Sequence, residues 1–331
     1  MTNRILELYS GIGGMHCAWL DSSLNGEVVA AIDINTIANC VYKHNFPQTT
    51  LITKNIQSLT VEAIEKLDVN TILMCPPCQP FTRNGKQMGE SDPRTDSFLY
   101  IISILDQIPK LEYILMENVK GFETSSVHNL FVTKLQDSNF IFQEFLVCPS
   151  SVGVPNSRLR YYCIARRKPD WNFKRKDEIM TLLPNQYSEQ FSIENIIKKD
   201  ASDTYLVPDK ILKYIHTMDI IYKQSKRSCC FTKAYSHYAE GTGSIYTDSN
   251  PEDVKESLQE AKLYEPGSIE FLTPLKKHKF RYLTPTELAA LMCFPNKFSF
   301  PDNITTKQCY RLLGNSVNVK VISELLKILF N

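Results

Sequence analysis

Residues 5–14 read Ile-Leu-Glu-Leu-Tyr-Ser-Gly-Ile-Gly-Gly. A short apolar run ends in closely spaced glycines, which predicts a β-strand turning sharply into a helix. The same alternation continues downstream. Strand patterns fall at 5–9, 27–32, 71–74, 113–116, 140–147 and 161–165, and helical periodicity at 13–21, 36–44, 61–67, 98–107 and 127–136. Strands alternating with helices predict an α/β, doubly wound, mostly parallel sheet, and such sheets bind ligands at the carboxyl ends of their strands.

The glycine turn resembles a dinucleotide fingerprint but departs from it. Counting from Gly11 and Gly13, the third glycine position is His16, so no pyrophosphate signature remains. Asp33 lies 22 residues after Gly11 at the end of the second strand, where a carboxylate can take the hydroxyls of a ribose. A ribose-bearing cofactor without a pyrophosphate points to S-adenosylmethionine; a plain tight strand–helix turn is the alternative.

The strand at 71–74 runs into Cys75-Pro76-Pro77-Cys78-Gln79-Pro80. Two prolines fix the backbone and remove two amide donors, holding Cys78 in one direction at the mouth of the sheet. Arg83, Lys86 and Arg94 follow and supply the positive potential that favours a thiolate. A redox or metal-binding Cys-x-x-Cys pair is the other reading. The chain lacks a second such pair or a His-x-x-x-His to complete a zinc site, so no metal is expected.

Beyond residue 167 the periodicity weakens, and 168–280 reads as an irregular second unit. Its acidic stretch at 251–270 reads as a mobile loop. Order returns at Thr284-Pro285-Thr286-Glu287, which has the form of a helix start. Helical patterns follow at 288–294, 305–313 and 319–329, the last two separated by Gly314-Asn315. Lys plus Arg is 37 and Asp plus Glu 36, so a uniformly basic nucleic-acid binder is excluded while a locally basic face is not. Arg166–Lys176, with Trp171 and Phe173 interleaved, reads as such a face, as do Lys223, Lys226, Arg227 and Lys276–Arg281. No apolar run is long enough for a membrane span, and charges and glycines occupy the place of a signal peptide's apolar stretch. The ten cysteines are too sparse for a disulfide framework, which places the chain in a reducing compartment.

These motifs together resemble the DNA-type cytosine-5 methyltransferases. Pro-Pro-Cys78-Gln and Glu117-Asn118-Val119 resemble the family's catalytic core. Tyr9-Ser10-Gly11-Ile12-Gly13-Gly14 resembles its cofactor turn, and Asn156-Ser157-Arg158-Leu159-Arg160 its Gln-x-Arg-x-Arg element. Residues 281–301 and Gly314-Asn315-Ser316-Val317 resemble the late motifs. Cys230-Phe231-Thr232 resembles the marker of the eukaryotic branch that methylates tRNA-Asp. Tyr9, Cys75 and Asn156 depart from the commoner Phe, Ser and Gln without removing a catalytic group.

The resemblance implies a Rossmann-like class I S-adenosylmethionine-dependent core at 1–187 plus 308–331. A smaller target-recognition domain at 188–307 would be inserted before the C-terminal segment. It implies methylation of cytosine carbon 5, at position 38 of tRNA-Asp, with S-adenosylhomocysteine as product. Cys78 is the expected nucleophile and Glu117 the acid at N3. Asn118 orients the cysteine segment, and Arg158 and Arg160, two apart on one strand face, pin the base, a phosphate or that segment. The expected cofactor residues are Tyr9, Ser10, Ile12, Gly13, Asp33, Ile34, Asn55, Ile56, Pro76, Asn315 and Val317, with Ile34 and Ile56 sandwiching adenine. The expected substrate residues are Arg83, Lys86, Arg94, Cys230, Phe231, Thr232 and Tyr235. A monomer in cytoplasm and nucleus is expected, with tRNA as partner, weak DNA binding at most and no membrane. A DNA methyltransferase and an inactive nucleic-acid-binding protein are the competing readings.

Overall fold

The computed structural model describes residues 2–77, 95–184, 190–198, 201 and 203–331. Cys78, Arg83, Lys86 and Arg94 lie outside the described residues. The first part runs β1 (Asn3–Leu8), α1 (Gly14–Ser22), β2 (Gly26–Ile32), α2 (Thr36–Asn45), β3 (Thr50–Ile52), α3 (Val61–Lys66) and β4 (Thr71–Met74). It continues with α4 (Asp96–Ile104), β5 (Tyr113–Val119), α5 (Ser126–Asp137), β6 (Ile141–Val147) and β7 (Arg160–Arg166). These strands form one sheet of order β3-β2-β1-β4-β5-β7-β6. β1 to β5 pair in parallel, and β7 is antiparallel to both β5 and β6.

Helices cover both faces of this sheet, so its central strands are mostly apolar, with Glu7 of β1 and Glu117-Asn118 of β5 as buried polar exceptions. Alternation along β1 divides the core. Leu6 and Leu8 face α4 and α5. Ile5 faces α1 and α2. β3 is missing from the sequence expectation because three residues, two of them half-buried, leave no readable period.

The remainder holds α6 (Asp209–Leu212), β8 (Asp219–Ile221), β9 (Ser244–Tyr246), α7 (Pro251–Ala261), α8 (Ile269–Lys276), α9 (Pro285–Leu291), α10 (Thr306–Gly314) and α11 (Val319–Phe330). The acidic stretch at 251–270 is not a loop over its length. Asn250 caps α7, Pro251 takes its first position, Glu252 and Asp253 sit in the first turn, and Val254, Ser257 and Ala261 are buried along one face. Acidic residues at a helix N-terminus complement its dipole, so the charge run marks a helix start and a solvated face. Thr284 and Glu287 form the expected capping box of α9. Glu287 also holds Arg281 through two bonds of 2.8 and 2.9 Å.

The C-terminus returns to the first sheet. α11 buries Val321, Ile322, Leu325, Leu326 and Leu329, and Phe330 meets Trp19 of α1 edge-on at 5.4 Å. Contacts with the N-terminal helices begin before residue 308: Asn45 exchanges two hydrogen bonds with the Ser299 backbone.

The first half of the basic, aromatic segment, Arg166–Trp171, is a structural fastener, while Lys174, Arg175 and Lys176 remain exposed. Arg166 is 4% exposed and donates to the Leu329 carbonyl. Arg167 donates to the carbonyls of Ser138, Ile108, Pro109 and Leu105. Trp171 donates to the Ile328 carbonyl. Backbone acceptors left over at element ends have taken the cations. The other basic clusters are largely paired too: Lys223 with Asp248, Arg227 with Asp219, Lys276 with Asp209 and Arg281 with Glu287.

Candidate active site

The carboxyl ends of β1, β2, β3, β4 and β5 meet along one edge. Register pairs Leu8 with Ile32 and Met74, Ile32 with Ile52, and Met74 with Met116. Tyr9-Ser10, Asp33-Ile34, Asn55-Ile56 and Pro76 therefore follow neighbouring strands, and Glu117-Asn118 lie in the last residues of β5. Tyr9, Gly11 and Gly13 all have positive φ (55°, 53° and 86°), which makes the turn tight. Gly13 can take this conformation and has no room for more: a Cβ would lie 2.4 Å from the Phe46 ring.

Both Asp33 oxygens are in use, accepting from Gly11 N–H and Asn35 N–H at 2.8 Å each. Each retains a lone pair for a hydroxyl donor. Ser10 is 5% exposed with a buried hydroxyl that has no partner among the described residues. Ile34 is 67% exposed, an apolar face beside Asp33, whereas Ile56 is 4% exposed and packs inward. Only Ile34 of that pair therefore offers a free side-chain face to adenine. Ile12 is core, and Asn55 caps the turn that follows it. The 314–317 turn closes the far side: Val317 Cγ2 stands where a Gly14 Cβ would be, 2.7 Å away, and Asn315 is exposed at the end of α10. An apolar face, a carboxylate with free lone pairs and a side-chain-free turn fit a nucleoside bearing an amino acid.

Beneath this turn Glu7 is 1% exposed and accepts from the Tyr42 hydroxyl, which also bonds His16 Nδ1 at 2.8 Å. An acid in an otherwise apolar strand is the one signal of it in the sequence. Burial pushes its carboxyl up from 4.5 to about 8, against hydrogen bonds from Tyr42 and the α1 backbone. The folded chain thus holds a proton that the unfolded chain releases above 4.5. Stability should fall as pH rises from there to about 8, by about 1.4 kcal/mol per unit. Melting temperatures across that range should show the slope, and Glu7→Gln should flatten it.

Next to the cofactor edge lies a charged cluster. Glu117 is 8% exposed, with Arg160 Nε 3.5 Å from its Oε1. Burial raises its pKa above 4.5, and Arg160 and Arg158 oppose that only in part. Asn118 is 1% exposed; its Nδ2 reaches the Pro76 carbonyl at 3.5 Å and its Oδ1 accepts from Val119 N–H. Asn118 therefore ties β5 to the segment that leads into Cys78.

Arg158, 4% exposed, clamps three segments. Its Nη1 donates to the Phe231 carbonyl at 3.1 Å and approaches Cys230 Sγ at 3.7 Å. Its Nη2 donates to the carbonyls of Gly314 and Ser316. Arg160 Nη2 lies 3.9 Å from the same sulfur. Burial alone would raise the Cys230 thiol; the two guanidiniums outweigh it and hold it below its ordinary value of 9.0.

Two expected substrate residues are core instead. Phe231 and Tyr235 are each 2% exposed, with rings crossing edge-to-face at 4.8 Å. The Tyr235 hydroxyl donates to the Ser244 carbonyl and accepts from Leu283 N–H. Their aromatic bulk supports the Cys230–Thr232 segment from behind, and Thr232 is half-buried at its edge.

Gly314 seals this seam. A Cβ there would lie 2.2 Å from Lys233 N and 2.3 Å from Thr232 C, both backbone. Gly314→Ala should cost about 1–3 kcal/mol in denaturant unfolding and lower activity with it.

This strand order, with one antiparallel strand and its cleft at the carboxyl edge, defines the class I S-adenosylmethionine-dependent methyltransferase core. The C-5 cytosine-specific DNA methylase family model matches residues 3–331, and the chain belongs to that family. It is 64% identical over 331 residues, 100% of both chains, to the tRNA (cytosine(38)-C(5))-methyltransferase of Spodoptera frugiperda. It is 40% identical over 388 residues, 99% of each chain, to the human protein of that name. A Dictyostelium discoideum relative, 38% identical across 98% of this chain and 94% of its own, is named a DNA (cytosine-5)-methyltransferase. Among solved structures, a Spodoptera frugiperda DNMT2 mutant superposes with TM-score 0.94 at 62% identity, covering 100% of both chains. The Schizosaccharomyces pombe Dnmt2 methyltransferase gives 0.83 at 34%, covering 100% and 98%.

Proposed function

We propose that the chain methylates carbon 5 of cytosine in tRNA, at position 38 of the tRNA-Asp anticodon loop. The observation that carries the chemistry is the buried Glu117 carboxyl beside Arg160, at the end of the strand next to the one leading to Cys78. The names of the similar proteins support the tRNA substrate. A cytosine in an anticodon loop is already partly unstacked, which lowers the cost of bringing it into a buried site.

Ser10, Asp33, Ile34 and the 314–317 turn would hold S-adenosylmethionine, which would supply an electrophilic methyl group. Cys78 adds to carbon 6 of the ring and makes carbon 5 nucleophilic; once carbon 5 carries the methyl group its proton is lost to solvent and the Cys78 thiolate is expelled from carbon 6, which restores the ring and the free enzyme. Glu117 holds a proton for N3 as charge builds on the ring. Arg160 orients that carboxyl toward the base. Arg158 fixes the 230–232 segment against the cofactor turn. Residues 188–307 act as the target-recognition unit; the pressing of Cys230 and the Phe231 carbonyl onto Arg158 supports this.

Duplex DNA is the competing substrate. Purified protein with methyl-labelled cofactor should label tRNA and leave DNA near background; label in DNA alone would overturn the tRNA reading.

A further inference from the structure

We propose that Ser244, oriented by Asp219, is a positioning residue for the active-site arginines; the inference rests on the methyltransferase reading above. The parallel pairing of β8 and β9 sets Asp219 opposite Ser244. Ser244 is fully buried, and its hydroxyl meets two groups: Asp219 Oδ2 at 2.5 Å and Cys229 N–H at 2.8 Å. A carboxylate only accepts and an amide N–H only donates. The single hydroxyl proton must therefore point at Asp219, leaving a lone pair aimed at Cys229. Asp219 is itself fixed on its other side, where Oδ1 accepts from Arg227 Nη2 at 2.6 Å.

The relay ends beside the chemistry. Cys229 is tied at both ends of its backbone, its N–H to Ser244 and its carbonyl to Asn156 Nδ2 at 3.0 Å. The next residue, Cys230, places its sulfur within 3.9 Å of both Arg158 and Arg160. The residue after that gives its carbonyl to Arg158. Asn156 lies two residues before Arg158, and residues 228 and 229 together set both sides of the arginine contact: the Ser228 carbonyl accepts from Ser157 N–H at 2.9 Å and its hydroxyl donates to the Pro155 carbonyl at 2.7 Å. Removing the Ser244 hydroxyl leaves a part-buried N–H unpaired and loosens the segment at residue 229.

The test uses the full chain. Wild-type methylation of tRNA is measured first; an inactive wild type would sink the substrate reading and not the positioning role. Ser244→Ala should then lower kcat about ten- to hundredfold, the scale of a small misplacement of catalytic groups. Affinity for S-adenosylhomocysteine, read by calorimetry, should stay at the wild-type level. Asp219→Ala should reproduce the loss, and Asp219→Asn, whose amide oxygen can still accept the hydroxyl proton, should restore most of it. The Asp219→Ala/Ser244→Ala double variant should lose less than the sum of the two single losses, because both act on Cys229, Asp219 through Ser244 and through its own contact with the Cys229 thiol. If Ser244→Ala fails to fold, the two Asp219 variants carry the test. Wild-type kcat in Ser244→Ala, or additive losses in the double variant, would overturn the proposal. So would a loss confined to cofactor affinity.

Discussion

Cys78→Ala should abolish methyl transfer, with kcat falling on the order of 10⁴-fold or more, as when an attacking group is removed from a unit that works together. Cofactor binding should survive. The thiol has no substitute in this role: β4 ends at Met74, level with Met116, so Cys75 and Glu117 are neighbours. Burial drives the Cys75 thiol up, and the Glu117 charge adds to that. A thiol kept protonated is a poor nucleophile, so the neighbouring cysteine cannot replace Cys78. Calorimetry with S-adenosylhomocysteine beside a single-turnover transfer assay separates the two readouts. Full activity in the variant would remove Cys78 from the mechanism.

Glu117→Gln should be the next most damaging change, at about 10²- to 10⁴-fold in kcat, the range spanned by general acid–base groups. The amide keeps the shape and a donor, so the base can still be held, but it has no acidic proton to share with N3. The pH dependence has a definite sign. Burial raises the Glu117 pKa above 4.5, so the protonated working form persists to higher pH than in an exposed carboxyl. The rate term that needs it falls as pH rises through that raised pKa. The same shift means the folded chain binds the proton more tightly than the unfolded one, so this group's contribution to stability also falls with rising pH over that interval. A profile of kcat against pH should lose this limb in Glu117→Gln. An unchanged profile would contradict the assignment.

The sheet was legible because its signals are local. Apolar runs broken by glycine or proline mark six of its seven strands, and Thr284-Pro285-Thr286-Glu287 announces a helix start that the structure reproduces bond for bond. What stayed hidden depends on distant partners. β3 is too short to carry a period and exists because β2 offers it an edge. The cations of Arg166–Lys176 look free in a linear sequence, yet Arg166 and Arg167 satisfy carbonyls from three other segments. Tyr235 reads as a surface aromatic until Ser244 and Leu283 are seen to engage its hydroxyl. Asp219 and Ser244, 25 residues apart, carry no motif at all.

The most direct measurement is bisulfite sequencing of tRNA-Asp after incubation with the purified chain and S-adenosylmethionine. Cytosine 38 should resist conversion with the wild type and convert fully with Cys78→Ala. Complete conversion at cytosine 38 with active wild-type protein, alongside new protected cytosines in duplex DNA, would contradict the tRNA assignment.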